Sequence, residues 1–198
     1  MVRSRRAIGL LSWVMVAGCD SDPEEPELDS FPVPRIAYCE SVVDWPEELE
    51  DRELELLEII NEYRSRGAEC GDLRFPPSEP LYPSGRAACA SRVHAADMAM
   101  QDFVDHTGSD DSSPWDRLRS AGSTFAVADE VLAAGTLTPQ QLVDELWMPR
   151  PGSCAALMAP EYVQAGVGWA SGGDDVTHED YVVVMPERSR ALPSTSTK

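Results

Sequence analysis

The chain has 198 residues and is strongly acidic: 35 Asp and Glu stand against 16 Lys and Arg, a net charge of −19. Such a surface repels phosphate backbones and anionic lipid headgroups, which excludes nucleic-acid binding and electrostatic docking on a membrane. The length suffices for one domain with a substantial core, and no internal repeat divides it.

The N-terminus reads as an export signal. Arg3, Arg5 and Arg6 form a positive start, and residues 7–18 are uncharged and mostly apolar. That run is too short to span a bilayer, which takes ~20 helical residues, and has the layout of a signal peptide. It ends in Val16-Ala17-Gly18-Cys19. Residues 20–34 are rich in Asp, Glu, Pro and Ser and bury too little apolar surface to order themselves, so a spacer is expected there. The expected organisation is a signal over 1–18, an acidic tether over 19–34, a domain over 35–187 and a disordered tail over 188–198.

Inside the domain, four helices and a few strands are predicted. The first helix covers about 47–65, with Leu49, Leu56, Ile60 and Tyr63 near one stripe and Gly67 just past its end. The second covers about 84–102 and is rich in alanine, which permits close packing on a neighbour. The third begins at Ser113-Pro114, a cap followed by proline, and stops near Gly122. The fourth begins at Thr138-Pro139-Gln140-Gln141, a capping box, with Val143, Leu146 and Trp147 facing inward. Residues 162–169 and 181–185 read as strands and 124–127 as an edge strand. Helices first and a hairpin last predict an α+β fold with a small antiparallel sheet of about three strands.

Four cysteines beyond Cys19 suggest two disulfides in an exported chain, with three possible pairings. No CxxC or Cys/His cluster has zinc spacing.

Several short segments, in order, resemble a known family. Residues 16–19 resemble a bacterial lipobox, which implies diacylglyceryl transfer to Cys19, cleavage before it and a lasting membrane anchor. An ordinary signal peptide is the alternative, and Ser4-Arg5-Arg6 weakly resembles a twin-arginine start. Further on, Ile60-Asn61-Glu62-Tyr63-Arg64, His94 to Ala99, Phe103 to Ser109, Pro114 to Arg117 with Ala121-Gly122, Glu130 to Gly135, Trp147 to Pro160 and Gly166-Val167-Gly168 follow the sequence of motifs in bacterial CAP (SCP-like, YkwD-like) domains. The resemblance covers about residues 49–185. It implies an α-β-α sandwich with a cleft where some members set two histidines and two glutamates that bind zinc or another divalent ion.

The residues match that site in part. His106 aligns with the first family histidine and Glu130 with the glutamate of the "ENI" motif. Ser153 stands where the second histidine belongs, Arg150 where animal members have another glutamate, and Val131 and Ala156 replace two asparagines. One imidazole and one carboxylate are too few for a protein zinc site, so no cofactor is expected; His106 is the one residue from which a metal site would start. The plain reading of His106 is a loop histidine hydrogen-bonded to Glu130. His94 is expected on a helix face with its bonds satisfied, His178 in solvent, and Trp147 and Trp169 in the core. A Ser153-His106-Glu130 triad lacks a nucleophile elbow. In the relatives a cysteine follows the first helix and another stands beside the second histidine, so the resemblance implies Cys70–Cys154, leaving Cys39–Cys89.

The expectation is therefore an exported, membrane-anchored lipoprotein facing periplasm or exterior and monomeric. Its domain, with a damaged site, is expected to bind an unidentified protein or a small apolar ligand at its surface or cleft rather than to catalyse. A divalent-metal-dependent or hydrolytic enzyme built on His106 and Glu130 is the alternative.

Overall fold

The computed structural model describes residues 30–136 and 138–189. The expected signal, Cys19, most of the expected tether and residues 190–198 lie outside them. In chain order come a 3₁₀ helix (Ala37–Val42), α1 (Glu47–Arg66), β1 (Ala68–Cys70), β2 (Leu73–Phe75), β3 (Tyr82–Pro83), α2 (Gly85–Gln101), α3 (Pro114–Ser120), β4 (Phe125–Ala128) and β5 (Val131–Gly135). Then follow α4 (Pro139–Gln141), which continues as π-helix through Leu142–Trp147, α5 (Pro151–Met158), β6 (Gln164–Ser171) and β7 (Asp180–Ser189).

The fold is the expected α-β-α sandwich, with a larger sheet than the sequence predicts. Five strands pair among the described residues: β3-β6-β7-β4, with β5 also on β7. The expected hairpin (β6 and β7) and edge strand (β4) are joined by two strands that were not expected, β3 and β5; the first half of β7 pairs with β5 and its second half with β4. One pair, β3 with β6, is parallel. A separate hairpin joins β1 and β2.

Alternation along the two long strands divides the core. Val167, Trp169, Val182 and Val184 face one way and meet Leu56, Leu57 and Ile60 of α1, Val143 and Trp147 of the π-helical turn, and Leu157 of α5. Tyr181, Val183 and Met185 face the other way and meet Ala87, Ala90, Ala95 and Met98 of α2 and Leu118 of α3. On this second face α2 lies directly on β6. A Cβ on Gly166 would stand 1.9 Å from the Ala88 amide nitrogen, and one on Gly168 would stand 2.2 Å from the Ser91 carbonyl carbon. Glycine is therefore required at both positions.

Both caps form as the sequence predicts. Ser113 and Thr138 each accept from the backbone three residues on, and Asp116 and Gln141 reach back. Asn61 and Arg64 of α1 have buried or half-buried backbone partners. Asn61 brackets Leu81 through its N–H and carbonyl. Arg64 donates to the carbonyls of Glu79, Leu157, Ala159 and Tyr162, and so fastens the chain around α5 to α1. The disulfides are Cys39–Cys89 and Cys70–Cys154.

Two domain edges differ from expectation. The packed chain begins at Phe31, not at residue 35: Phe31 is buried in the core and its N–H donates to Glu50 Oε1 at 3.0 Å. At the other end, residues 187–189 do not fray. They pair with β4, and Glu187 is buried, accepting from the hydroxyls of Ser84 and Ser123.

Candidate functional site

The loop between α2 and α3 carries His106, and local chemistry fixes its path. Asp102 ends α2 in the left-handed region at φ 52°. Thr107 N–H donates to Asp105 at 2.7 Å, and Ser109 donates to Asp97 through its amide at 2.8 Å and through its hydroxyl. Gly108 donates to the Ser112 carbonyl. These short-range bonds close the loop on itself before α3 begins.

Glu130 sits at the entry to β5, after the Asp129 amide has bonded to the Pro186 carbonyl. Its carboxylate is engaged at both oxygens. His106 Nδ1 lies 2.7 Å from Oε1, and Arg117 Nη2 donates to Oε2 at 2.7 Å. Because the carboxylate is a pure acceptor already holding a guanidinium, His106 donates from Nδ1 and its Nε2 is the nitrogen with the lone pair. The side chains of Glu130 and Arg117 are each 2 % exposed, whereas that of His106 is 62 % exposed. Arg117 also donates to the His106 carbonyl at 2.9 Å and to the Ser112 carbonyl at 2.7 Å. One buried guanidinium thus holds both the loop and the glutamate.

The structure brings His106 and Glu130 together and does not join Ser153 or Arg150 to them. Arg150 is the exposed residue preceding α5, and Ser153 is half-buried in its first turn. Neither side chain has a hydrogen bond or ion pair among the described residues, so no Ser153-His106-Glu130 relay is assembled. His94 is fully buried and only half satisfied: Nε2 donates to the Asp105 carbonyl at 2.9 Å, and Nδ1 has no partner. Burial first, and the Arg117 charge second, hold its pKa below the ordinary value. His178 is not simply solvated as expected but half-buried, edge-on to the Tyr181 ring at 5.7 Å. Trp147 and Trp169 are core residues, and Trp147 Nε1 donates to the Leu132 carbonyl.

The site does not suit a divalent ion. Among the described residues no group of three His, Cys, Asp or Glu converges as a ligand set. Each Glu130 oxygen already accepts one bond, from His106 or from Arg117, and the Arg117 charge opposes a cation at that point.

Sequence reasoning placed Arg117 in a motif without giving it a role. The signal was present: an arginine on the inward side of a seven-residue helix has to find acceptors once that helix is packed.

A sheet between two helical layers, with a histidine–glutamate pair joining the α2–α3 loop to the start of β5, defines an α-β-α sandwich domain. The chain belongs to the CAP family, described as "Cysteine-rich secretory protein family", whose match runs over residues 57–185. It is 28 % identical over 101 residues to the uncharacterized protein YkwD of Bacillus subtilis (strain 168), a stretch covering 51 % of this chain and 39 % of that protein. Among solved structures it resembles an extracellular protein containing an SCP domain from Bacillus anthracis str. Ames. The TM-score there is 0.51 and the identity 20 %, over 70 % of this chain and 41 % of that one. An outer surface protein of Borrelia burgdorferi superposes with a TM-score of 0.50 at 17 % identity, over 69 % of this chain and 88 % of that one. The chain spans well under half of YkwD and of the anthrax protein, and at these identities the solved structures speak for the fold alone.

Proposed function

We propose that this is an exported envelope protein, anchored by lipid at Cys19, whose CAP domain binds a partner or a small apolar ligand without catalysing a reaction. One observation carries the non-catalytic part: both oxygens of Glu130 are committed, one to Arg117 and one to His106. A carboxylate so engaged is already neutralised by a buried guanidinium, which opposes a metal cation beside it. Two disulfides support an oxidising compartment, as do the relatives, one called extracellular and one an outer surface protein. No helix among the described residues is long and apolar enough to cross a membrane. A small apolar ligand could sit in an open groove of about 570 Å³ walled by Trp45, Leu49, Ala99, Met100 and Val176, with Asp174 and Asp175 also on its wall.

Metal analysis of the purified protein tests this reading. Stoichiometric zinc that disappears in His106→Ala would sink it. The anchor has a separate test: Cys19→Ala should move the protein from membranes to the soluble fraction, and continued membrane retention would refute lipidation.

One observation favours hydrolysis as a second reading. His106 donates Nδ1–H to a buried carboxylate and turns Nε2 toward solvent, the arrangement of a general base acting on water. A hydrolytic activity lost in both His106→Gln and Glu130→Gln, in protein that stays folded, would establish it.

A further inference from the structure

Met100, in the last turn of α2, is 76 % exposed, the highest fraction among the large apolar residues described. It lines the open groove of about 570 Å³ together with Trp45 and Leu49, at and just before the start of α1, and Val176, from the turn between β6 and β7. Apolar residues scattered singly over a surface need no explanation, but apolar surface that converges on one groove marks a place where something docks.

The walls of this groove are fixed by contacts made behind them. The Arg92 guanidinium lies 5.4 Å from the Trp45 ring centroid and so backs one face of the indole. Asp102, the left-handed residue that ends α2, accepts from the Thr177 amide and hydroxyl, each at 2.7 Å, and from the Tyr181 hydroxyl at 2.7 Å. The β6–β7 turn is thereby fastened to the helix that carries Met100. A wall already in place lowers the ordering cost of binding.

Charge selects the occupant. The charged residues on the wall are Asp174 and Asp175, and no lysine, arginine or histidine lines it. Both are exposed, and neither has a hydrogen bond or ion pair among the described residues. An acidic occupant is repelled by them, and a neutral one leaves them without a counter-charge. A second copy of this chain is opposed by its own net charge of −19. The open side bears on size. Small-molecule sites bury most of their ligand, whereas a helix laid in a groove needs only one face covered, and it can carry apolar and basic side chains at neighbouring positions. We propose that this groove docks a basic amphipathic helix of a partner protein, its apolar side chains on Trp45, Leu49, Met100 and Val176 and its lysines or arginines on Asp174 and Asp175. The inference rests on the reading of the domain as a binding module and takes the protein-partner side of it.

Isothermal titration of the purified full-length protein tests it, with a detergent-only titration as blank and a synthetic helical peptide of Leu-Lys-Lys-Leu repeats as probe. Saturable one-to-one binding is expected. Replacing every lysine of the peptide by glutamine, or every leucine by serine, should weaken it about tenfold. The double variant Asp174→Asn with Asp175→Asn, and separately Met100→Ser, should each weaken binding about tenfold with the melting temperature unchanged, since all three side chains are exposed. Glu69→Gln with Asp72→Asn makes the same change in net charge on the β1–β2 hairpin, which is tied to α5 by Cys70–Cys154, and should leave binding intact. No saturable binding up to about millimolar peptide would overturn the proposal. An equal loss in the hairpin variant, or equal binding of the serine peptide, would reduce the effect to general attraction of a polycation and overturn it as well. Undiminished binding by the Asp174 and Asp175 variant would overturn the location. The groove contains neither His106 nor Glu130, so zinc lost in His106→Ala would sink the non-catalytic reading without touching this result, and a peptide that fails to bind would leave that reading standing.

Discussion

Two glutamates in this domain are buried against arginines, and they differ in where the chain of contacts ends. Glu53 of α1 receives Arg92 twice, at 3.0 and 2.6 Å on Oε2 and from the Trp169 amide on Oε1 at 2.9 Å. The Arg92 guanidinium lies 5.4 Å from the Trp45 ring centroid and 5.8 Å from that of Phe31. Every contact runs inward, from helix to strand to helix. Glu130 receives Arg117 in the same way, but its other oxygen holds His106, which is largely in solvent. The same ion pair is a sealed joint in one place and the root of a surface imidazole in the other.

The largest effect that sharpens this contrast is Glu53→Ala. It strands most of a buried guanidinium and leaves the Trp169 amide unpaired; Glu50, 3.2 Å from Arg92, offsets only part of that. Losing one member of a buried pair costs about 3–5 kcal/mol, and chemical denaturation should read a loss in that range. Burial drives the Glu53 pKa up to about 7 against the pull of Arg92, which is the mark of a carboxylate with no route to water. Glu130→Ala should cost less, about 2 kcal/mol, because Arg117 keeps the carbonyls of Ser112 and His106. A loss from Glu130→Ala equal to that from Glu53→Ala would erase the distinction between the two sites.

These two sites were unequally legible in the sequence. The helices that carry them were, because α1 buries one stripe and exposes another, α2 is rich in alanine, and Ser113 and Thr138 announce their caps. The position of β5 was not. Val131 and Ala133 pack on one face of the sheet while Leu132 and Ala134 pack on the other, so no alternation of apolar and polar residues marks the strand. Nor was β3, two residues whose pairing with β6 is decided by the tertiary fold. His106 and Glu130 were found through their place in a family pattern, and their contact is a fact of folding across 24 residues. Nothing in the sequence marks Arg92 or Glu53, and Arg117 has only its place in a family motif. Only the packing of α2, α3 and β6 around them removes water and turns them into structural joints.

A smaller effect separates the Arg117 side from the Arg92 side by pH. His94 lies against the Arg117 network, and its folded pKa is below its unfolded value of 6.5. A depressed folded pKa means that the unfolded chain takes up the proton first. The native state therefore keeps its full stability above pH 6.5 and loses it as pH falls from there toward the folded pKa. His94→Gln keeps a donor for the Asp105 carbonyl and removes the titration. Denaturation midpoints measured at pH 7.5 and pH 5 should fall less in His94→Gln than in the wild type, by less than the whole loss from Glu130→Ala. An equal fall in both proteins would show that the acid sensitivity resides elsewhere, in carboxylates such as Asp105 whose pKa is lowered chiefly by the Thr107 amide.

The smallest expected effect is the most informative about function. His106→Ala removes a side chain that is 62 % exposed, and its one bond is to a carboxylate that retains Arg117. The loop around it is held by the backbone bonds of Thr107, Gly108 and Ser109 and by the Arg117 contact to the His106 carbonyl, none of which uses the imidazole. Stability should change by no more than about 0.5 kcal/mol, the range of ordinary surface substitutions. That outcome would mean that the fold does not need this histidine, and that its place beside Glu130 answers to something outside the fold. A loss of 2 kcal/mol or more would instead make His106 the outer end of the same joint that Arg117 begins, and the exposed nitrogen would then be a by-product of packing.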